Sequence, residues 1–191
     1  MTSRGLMVGW LAMFIAGLVH AADAVPAKPV DDPSIAELAE RVAKSVVVVT
    51  HTGRDGKQAG LGTGFIISPD GLIATNLHVI GEARPILVRL NDGKEYPVTA
   101  VHATERKMDL AVVRIEAKGL PALDLGDSDA LKQGEDVVAI GNPLGLKHSV
   151  VSGIVSGRRE IDGMPMIQLA IPIEAGNSGG PLLPASMGIA S

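Results

Sequence analysis

The order of apolar and polar positions divides the chain into one short helix followed by two sets of strands. In residues 34–44, Ile35, Leu38 and Val42 recur at the spacing of one helix face. From residue 46 onward the period changes to that of strands, with β-branched runs separated by Gly, Pro, Asn and Asp. The predicted strands cover residues 46–50, 62–68, 72–75, 86–90, 95–103 and 110–115, and then residues 136–140, 149–156, 166–170 and 180–183.

The two sets of strands predict two bodies in series. Six strands are enough to close one barrel, and the helix is expected to pack on that first barrel. Residues 119–134 are rich in turn formers and lie between the two sets, so they are the predicted connection. A site built from both bodies would lie in the cleft between them.

The second set of strands contains a glycine-rich motif around a serine. Residues 176–182 have the sequence GNSGGPL. A serine hydroxyl becomes a good nucleophile when a base takes its proton and N–H donors surround the new oxyanion. Gly176 can adopt φ angles forbidden to other residues, so the amides of Gly176 and Ser178 could point into one hole. A glycine-serine run is also typical of an ordinary turn, and this motif alone does not decide.

A base and an orienting carboxylate are available upstream. His78 follows a short apolar strand in LIATNLHVI, and Asp109 opens the β-branched strand of MDLAVVRI. Histidine is the usual general base near neutral pH. Taken alone, a histidine is more often structural, and an aspartate that opens a strand is commonly a solvated end or a cap. Together the three residues follow the order His, Asp, Ser.

Four motifs in order carry a resemblance to a known family. They are GTGFIISPDGLIATNLHVI from residue 62, DLAVVRI from residue 109, VAIGNPLG from residue 138, and GNSGGPL. With them the chain resembles the trypsin-like serine proteases and, within these, the bacterial HtrA/Deg family. The resemblance implies an all-β fold of two six-stranded antiparallel Greek-key barrels of chymotrypsin type, after a short N-terminal helix. The protease domain would cover residues 34–191, with the first barrel at about 45–118 and the second at about 134–191.

The same resemblance implies a role for each candidate residue. Ser178 would attack the peptide carbonyl while His78 takes its proton, and Asp109 would hold the histidine tautomer and stabilise the imidazolium. The amides of Gly176 and Ser178 would form the oxyanion hole. The implied activity is that of a serine endopeptidase acting on unfolded or exposed polypeptides through an acyl-enzyme, and family analogy implies that a homo-oligomer is possible. The alternative is a protease-fold fragment or peptide-binding module without turnover.

Composition argues against several other classes of function. The chain has 191 residues, a net charge of -4 and a pI near 5.7, and its charges are mixed in sign. Without a basic patch or interleaved aromatic residues, nucleic-acid binding has little support. The chain has no cysteine and no HExxH motif, and its five histidines are scattered. We therefore expect no metal and no cofactor.

The N-terminus has the three parts of a secretory signal peptide. Arg4 precedes the apolar residues 6–19, and small residues follow, with cleavage expected after Ala21 or Ala24. The apolar run is short for a membrane span, which needs about 20 residues. We expect a signal peptide at residues 1–24, a linker at 25–33, and a periplasmic or secreted protein; an uncleaved membrane anchor is the competing interpretation.

The C-terminus departs from the family pattern. After Ser178 the sequence is GGPLLPASMGIAS. In the resembling family two further strands follow GNSGGPL, complete the second barrel and wall the specificity pocket. We therefore expect the second barrel to be incomplete, the chain to be a truncated piece of a longer protein, and its protease activity to be weak or absent. Cleavage of unfolded casein that Ser178→Ala abolished would contradict this expectation.

Overall fold

The computed structural model describes residues 33–53, 58–81, 85–141, 149–172 and 176–188. The predicted signal peptide and the linker up to residue 32 lie outside these residues. Two helices, α1 and α2, and strands β1 to β10 are used below. Their bounds are α1 Pro33–Ala43, β1 Val46–Thr52, β2 Gln58–Ile66, β3 Leu72–Asn76, α2 Leu77–Ile80, β4 Ile86–Arg89, β5 Glu95–Glu105, β6 Leu110–Ile115, β7 Asp136–Gly141, β8 Ser149–Ile161, β9 Met164–Ala170 and β10 Leu182–Pro184.

The first six strands close into a barrel in the order β1-β2-β3-β6-β5-β4. All of its pairings are antiparallel. Alternate residues of each strand point inward, and the core is built of aliphatic side chains with less than a tenth of their surface exposed. This core contains Val47, Val49, Ile66, Ile73, Val79, Ile80, Ile86, Val88, Ala111, Val113 and Ile115. The barrel fills its own interior.

The remaining strands form an open four-stranded sheet in the order β10-β7-β8-β9. Strands β8 and β9 are joined by a tight turn in which Asp162 and Gly163 have φ of 52° and 77°. Two residues with positive φ are characteristic of a type I′ hairpin, which matches the twist of the flanking strands. Arg158 of β8 donates hydrogen bonds to Asp129 and to the carbonyl oxygen of Ser128, which attaches the connection between the two bodies to the second sheet.

The prediction that α1 packs on the first barrel is incomplete, because most of the buried partners of the helix belong to the second sheet. The buried residues Ile35, Leu38 and Val42 of α1 share a cluster with Val46 at the start of β1 and with side chains of the second sheet. Those partners are Val138, Ile140 and Leu183. Val46 of the first barrel belongs to this cluster and not to the barrel core, whereas the open second sheet must cover a whole apolar face. The helix therefore supplies the second apolar layer of the second sheet.

A polar turn delivers the chain into β3. The Ser68 hydroxyl donates to the Asp70 carboxylate, and Arg114 of β6 donates to the same carboxylate at 3.3 Å and to the Asp70 carbonyl oxygen at 3.0 Å. The Ser68 hydroxyl, and then the Arg114 guanidinium, lower the pKa of Asp70 below its usual value.

None of the described helices is long and apolar enough to span a membrane.

Candidate active site

His78 lies on α2, the single helical turn that directly follows β3. The sequence predicted its position just past that strand. The turn begins with two hydrogen bonds to one carbonyl: the Leu77 amide and the Asn76 side-chain amide donate to the Asp109 carbonyl oxygen at 2.8 and 2.9 Å. Asn76 is 1% exposed, so this anchor is shielded from water. The backbone of Asp109 therefore fixes the start of the turn that carries His78.

The carboxylate of Asp109 orients the His78 side chain. One oxygen accepts the His78 backbone amide at 2.9 Å, and the other contacts the ring nitrogen Nδ1. Because a carboxylate only accepts, Nδ1 is the donor of this contact, and in the neutral imidazole the lone pair is then on Nε2. Asp109 has a φ of 50°, a left-handed conformation that aspartate tolerates better than most side chains. The structure thus brings His78 and Asp109 together, with the base nitrogen directed away from the carboxylate.

A second histidine supports the end of the same helical turn. His51 of β1 donates from Nδ1 to the Val79 carbonyl oxygen at 2.9 Å. A Cβ atom at Gly60 would lie 2.1 Å from the His51 ring, and one at Gly81 would lie 3.0 Å from it. The two glycines therefore form a slot that only residues without side chains can provide. His51 holds the carbonyl next to His78 in place.

The Ser178 segment is a tight turn rather than part of a strand. Gly176 and Gly179 have φ of 101° and 86°, and the Gly180 amide donates to the Asn177 carbonyl oxygen at 3.0 Å. The predicted strand at 180–183 begins later, at Leu182. Among the described residues, the hydrogen bond made by Ser178 uses its carbonyl oxygen, so the structure does not join its hydroxyl to His78. Such catalytic hydrogen bonds are often long before substrate binds.

The Ser178 turn packs directly against the strands that lead to His78. A Cβ atom at Gly62 would lie 2.6 Å from Val79, the neighbour of His78, and 3.2 Å from the Ser178 carbonyl oxygen. A Cβ atom at Gly179 would lie 2.1 Å from the Thr63 carbonyl oxygen. These glycines allow backbone to approach backbone where the first barrel meets the turn. Gly62 therefore lies against both Val79 of the helical turn that carries His78 and the backbone of Ser178.

Sequence reasoning missed the polar residues that connect these parts. Thr63, Thr75, Asn76 and Asn177 are all buried, with exposures of 0%, 0%, 1% and 7%. Buried polar side chains are normally paired, and three of these four donate to a backbone carbonyl. The one sequence signal was the isolated threonine in the Gly-Thr-Gly of residues 62–64, a polar residue where an apolar strand residue is expected.

An apolar pocket of about 230 Å³ lies elsewhere in the molecule. Its walls come from the connection between the two bodies, from β10 and from Ile167 of β9, and include Leu123, Leu125 and Leu182. Neither His78, Asp109 nor Ser178 lines it. Within the described ranges, no group of three or more His, Cys, Asp or Glu residues could hold a metal ion.

Comparison with known proteins identifies the family. Residues 62–188 match the trypsin-like peptidase domain. A probable periplasmic serine endoprotease, DegP-like, of Halomonas elongata is 50% identical over 135 residues, which are 68% of this chain and 28% of that protein. Its counterpart from Chlamydia pneumoniae is 47% identical over 132 residues, with 66% and 27% covered. The chain thus spans less than a third of the length of these relatives.

A solved structure extends the comparison to the fold. A variant of the HtrA-type protease AlgW, with a tripeptide, has a TM-score of 0.71 and 36% sequence identity, and the match covers 80% of this chain and 51% of that chain. The closed barrel followed by a second sheet fits the predicted chymotrypsin-like fold. With the domain match and the DegP-like relatives, these findings confirm the resemblance of the four motifs. The chain belongs to the trypsin-like serine proteases of HtrA/Deg type.

Proposed function

We propose that the chain carries the catalytic machinery of a serine endopeptidase that cleaves unfolded or exposed polypeptides. His78, Asp109 and Ser178 act as its triad, and the amides of Gly176 and Ser178 form its oxyanion hole. The observation that carries the proposal is the double contact of the Asp109 carboxylate with the backbone and ring of His78, which leaves Nε2 free as a base.

In the first half of the reaction, Ser178 Oγ forms a bond to the carbonyl carbon of the substrate peptide while its proton moves to Nε2 of His78. The carbonyl oxygen becomes an oxyanion and accepts hydrogen bonds from the two amides. Asp109 stabilises the imidazolium without taking its proton. When the intermediate collapses, the C–N bond breaks, the amine leaves with the proton from Nε2, and the acyl group stays on Ser178.

In the second half, water takes the place of the amine. Nε2 of His78 accepts a proton from the water as its oxygen bonds to the acyl carbon, and a second oxyanion forms in the same hole. Collapse then releases a carboxylic acid and returns the proton to Ser178 Oγ. The histidine needs one tautomer throughout, which is what the Asp109 carboxylate provides.

The substrate class and the compartment are proposed from the relatives. The matched DegP-like proteins are named probable periplasmic serine endoproteases, and the solved AlgW variant is named with a tripeptide. Such a substrate presents a peptide backbone to the nucleophile. We accordingly propose that this chain acts on polypeptides in the periplasm.

A fluorophosphonate probe tests the chemistry separately from substrate turnover. The probe phosphonylates an activated serine whose oxyanion hole is formed, and it needs no extended binding pocket. We expect Ser178 to be labelled, Ser178→Ala to abolish labelling, and His78→Ala to slow it by several orders of magnitude, because triad members act as a unit. The matched control is His102→Ala, since His102 is an exposed histidine of β5 outside the site.

Two outcomes would count against the proposal. Absence of labelling in a folded wild-type sample would favour a binding module without turnover. Labelling that survives His78→Ala at the wild-type rate would exclude His78 as the base. Protein whose Ser178 reacts with the probe is then tested for turnover in a casein assay, with Ser178→Ala as the blank.

A further inference from the structure

Thr63 of β2 is a fully buried polar residue at the boundary between the first barrel and the Ser178 turn. It is 0% exposed and lies opposite Val48 of β1 in the antiparallel pairing. Its carbonyl oxygen accepts the hydroxyl of Thr75 at 2.6 Å. The backbone of Thr63 is therefore fixed by the barrel on both sides.

From this fixed position Thr63 makes two hydrogen bonds to the turn. Its amide donates to the Ser178 carbonyl oxygen at 2.8 Å, and its hydroxyl donates to the Gly176 carbonyl oxygen at 2.6 Å. The two carbonyls lie on either side of Asn177. The Ser178 amide belongs to the peptide plane between residues 177 and 178. Thr63 thus holds the two neighbouring peptide planes, one on each side of it.

The hydrogen bond from the Thr63 hydroxyl constrains Gly176, the residue of the turn whose backbone most needs a constraint. Gly176 has a φ of 101°, and a glycine can reach many other backbone conformations at little cost. An oxyanion hole works only when its donors are oriented before the charge develops. The second anchor, the Thr63 amide, would survive any substitution except proline. The hydroxyl is therefore the part of this clamp that depends on the side chain.

We propose that Thr63 is a positioning residue whose hydroxyl sets the orientation of Gly176 and, through it, of the oxyanion-hole amides. Thr63 does not touch the reacting atoms and acts through the backbone of the turn. The inference rests on the proposed function, because an oxyanion hole has meaning only if Ser178 attacks a carbonyl or a comparable centre. It predicts that loss of the hydroxyl slows acylation and leaves substrate affinity nearly unchanged.

The experiment compares Thr63→Val, which removes the hydroxyl and keeps the branched shape, with Thr63→Ser, which keeps the hydroxyl. Misplacement of a reacting group by about 1 Å costs about 100-fold in rate. We expect Thr63→Val to slow fluorophosphonate labelling of Ser178 by about that factor, and to lower kcat rather than raise KM wherever turnover is measurable. Thr63→Ser is expected to restore most of the rate.

The control for simple destabilisation is Val88→Ala. Val88 is 0% exposed in the barrel core on β4, a strand that pairs with β1 and β5 and not with β2. Its labelling rate, corrected for the folded fraction, is expected to equal that of the wild type. An equal slowing in Val88→Ala and Thr63→Val would overturn the proposal, as would a folded Thr63→Val protein labelled at the wild-type rate.

Hydrogen exchange provides a readout that does not depend on activity. The amides of residue 63 and Gly180 are bonded within and beside the turn, and both remain in every variant. We expect faster exchange at both in Thr63→Val and not in Thr63→Ser. If wild-type Ser178 is not labelled, the proposed function fails, and unchanged exchange in Thr63→Val overturns the positioning role separately. If Thr63→Val does not fold, Thr63→Ala is judged by the same two measurements.

Discussion

The first barrel and the second sheet hold the two halves of the candidate site by different means. The barrel is closed, and it positions His78 with contacts from its own strands: Asp109 binds the backbone and the ring, and His51 binds the following carbonyl oxygen. The second sheet is open, and its Ser178 turn accepts two hydrogen bonds from Thr63 of the other body, one from the amide and one from the side-chain hydroxyl. The base is thus oriented within one barrel, whereas the nucleophile is oriented across a boundary.

This difference separates two kinds of damage. A change at the Asp109 side chain should impair the chemistry and leave the fold intact, because in the described part of the chain its carboxylate accepts hydrogen bonds from the backbone and the ring of His78. A change between the two bodies should displace the turn and weaken the fold at the same time, because the same contacts do both. The three substitutions below test that distinction.

Asp109→Asn is expected to have the largest effect. Asparagine tolerates the left-handed backbone of this position, so the fold should persist, but its amide can stabilise the wrong histidine tautomer. In a serine protease this replacement costs about 10⁴-fold in kcat. We expect a comparable drop in the rate of fluorophosphonate labelling with an unchanged unfolding midpoint.

The matched control is Asp92→Asn. Asp92 is an exposed aspartate whose carboxylate accepts hydrogen bonds from Lys94, which lower its pKa. It lies outside the site and should label at the wild-type rate. A wild-type rate in Asp109→Asn itself would show that the carboxylate does not set the tautomer.

Leu38→Ala tests whether the second sheet depends on α1. Leu38 is 0% exposed within the second apolar cluster. Truncation of a buried leucine to alanine costs about 2–5 kcal/mol in free energy of unfolding. We expect Leu38→Ala to increase the rate of native-state hydrogen exchange more at Ile140 of β7 than in β6. Val88→Ala should increase it more in β6 than at Ile140. Equal acceleration in both bodies would mean that they unfold as one unit.

Gly179→Ala tests the boundary itself and is expected to have the smallest effect. The new methyl group would meet the Thr63 carbonyl oxygen at 2.1 Å. Gly134 is the matched control, because it has the same φ of 86° and no atom within 4 Å of its Cβ position. Both substitutions should cost about 1 kcal/mol for the left-handed backbone. We expect Gly179→Ala to cost about 2 kcal/mol more in denaturant unfolding, from the steric overlap, and to slow labelling.

The same unfolding experiment can contradict this prediction. Equal losses of stability in Gly179→Ala and Gly134→Ala would show that the turn can withdraw from the first barrel without cost. In that case the contacts of Gly179 would not contribute to the position of Ser178.

The strands could be predicted because their signals are local. Runs of valine and isoleucine between Gly, Pro, Asn and Asp located each strand that the structure describes, but several bounds differ. Strand β2 begins four residues before its predicted start, β10 begins two residues after its predicted start, and β1, β5, β8 and β9 are longer than predicted. The packing of α1 could not be predicted, because one apolar helix face does not specify which sheet it covers.

The sequence identified the candidate site residues, but it did not identify the residues that hold them in position. His78, Asp109 and Ser178 stand in motifs that the family shares, whereas the partner of the Thr63 hydroxyl lies 113 residues away in sequence. The left-handed backbone of Asp109 could not be predicted either, because aspartate usually adopts an ordinary backbone conformation. The roles assigned to these residues are proposals that the labelling experiments decide.

The cluster that joins α1 to the second sheet also bears on the order of folding. Ile35 and Leu183 stand near opposite ends of the described chain and share one core. Contacts between residues far apart in sequence form late, because a large loop must close first. The first barrel can close from residues 46–115 alone, while this core must wait for β10. We therefore expect reactivity at Ser178 to appear only after β10 has docked on this core, so that a chain in which only the first barrel has formed stays inert.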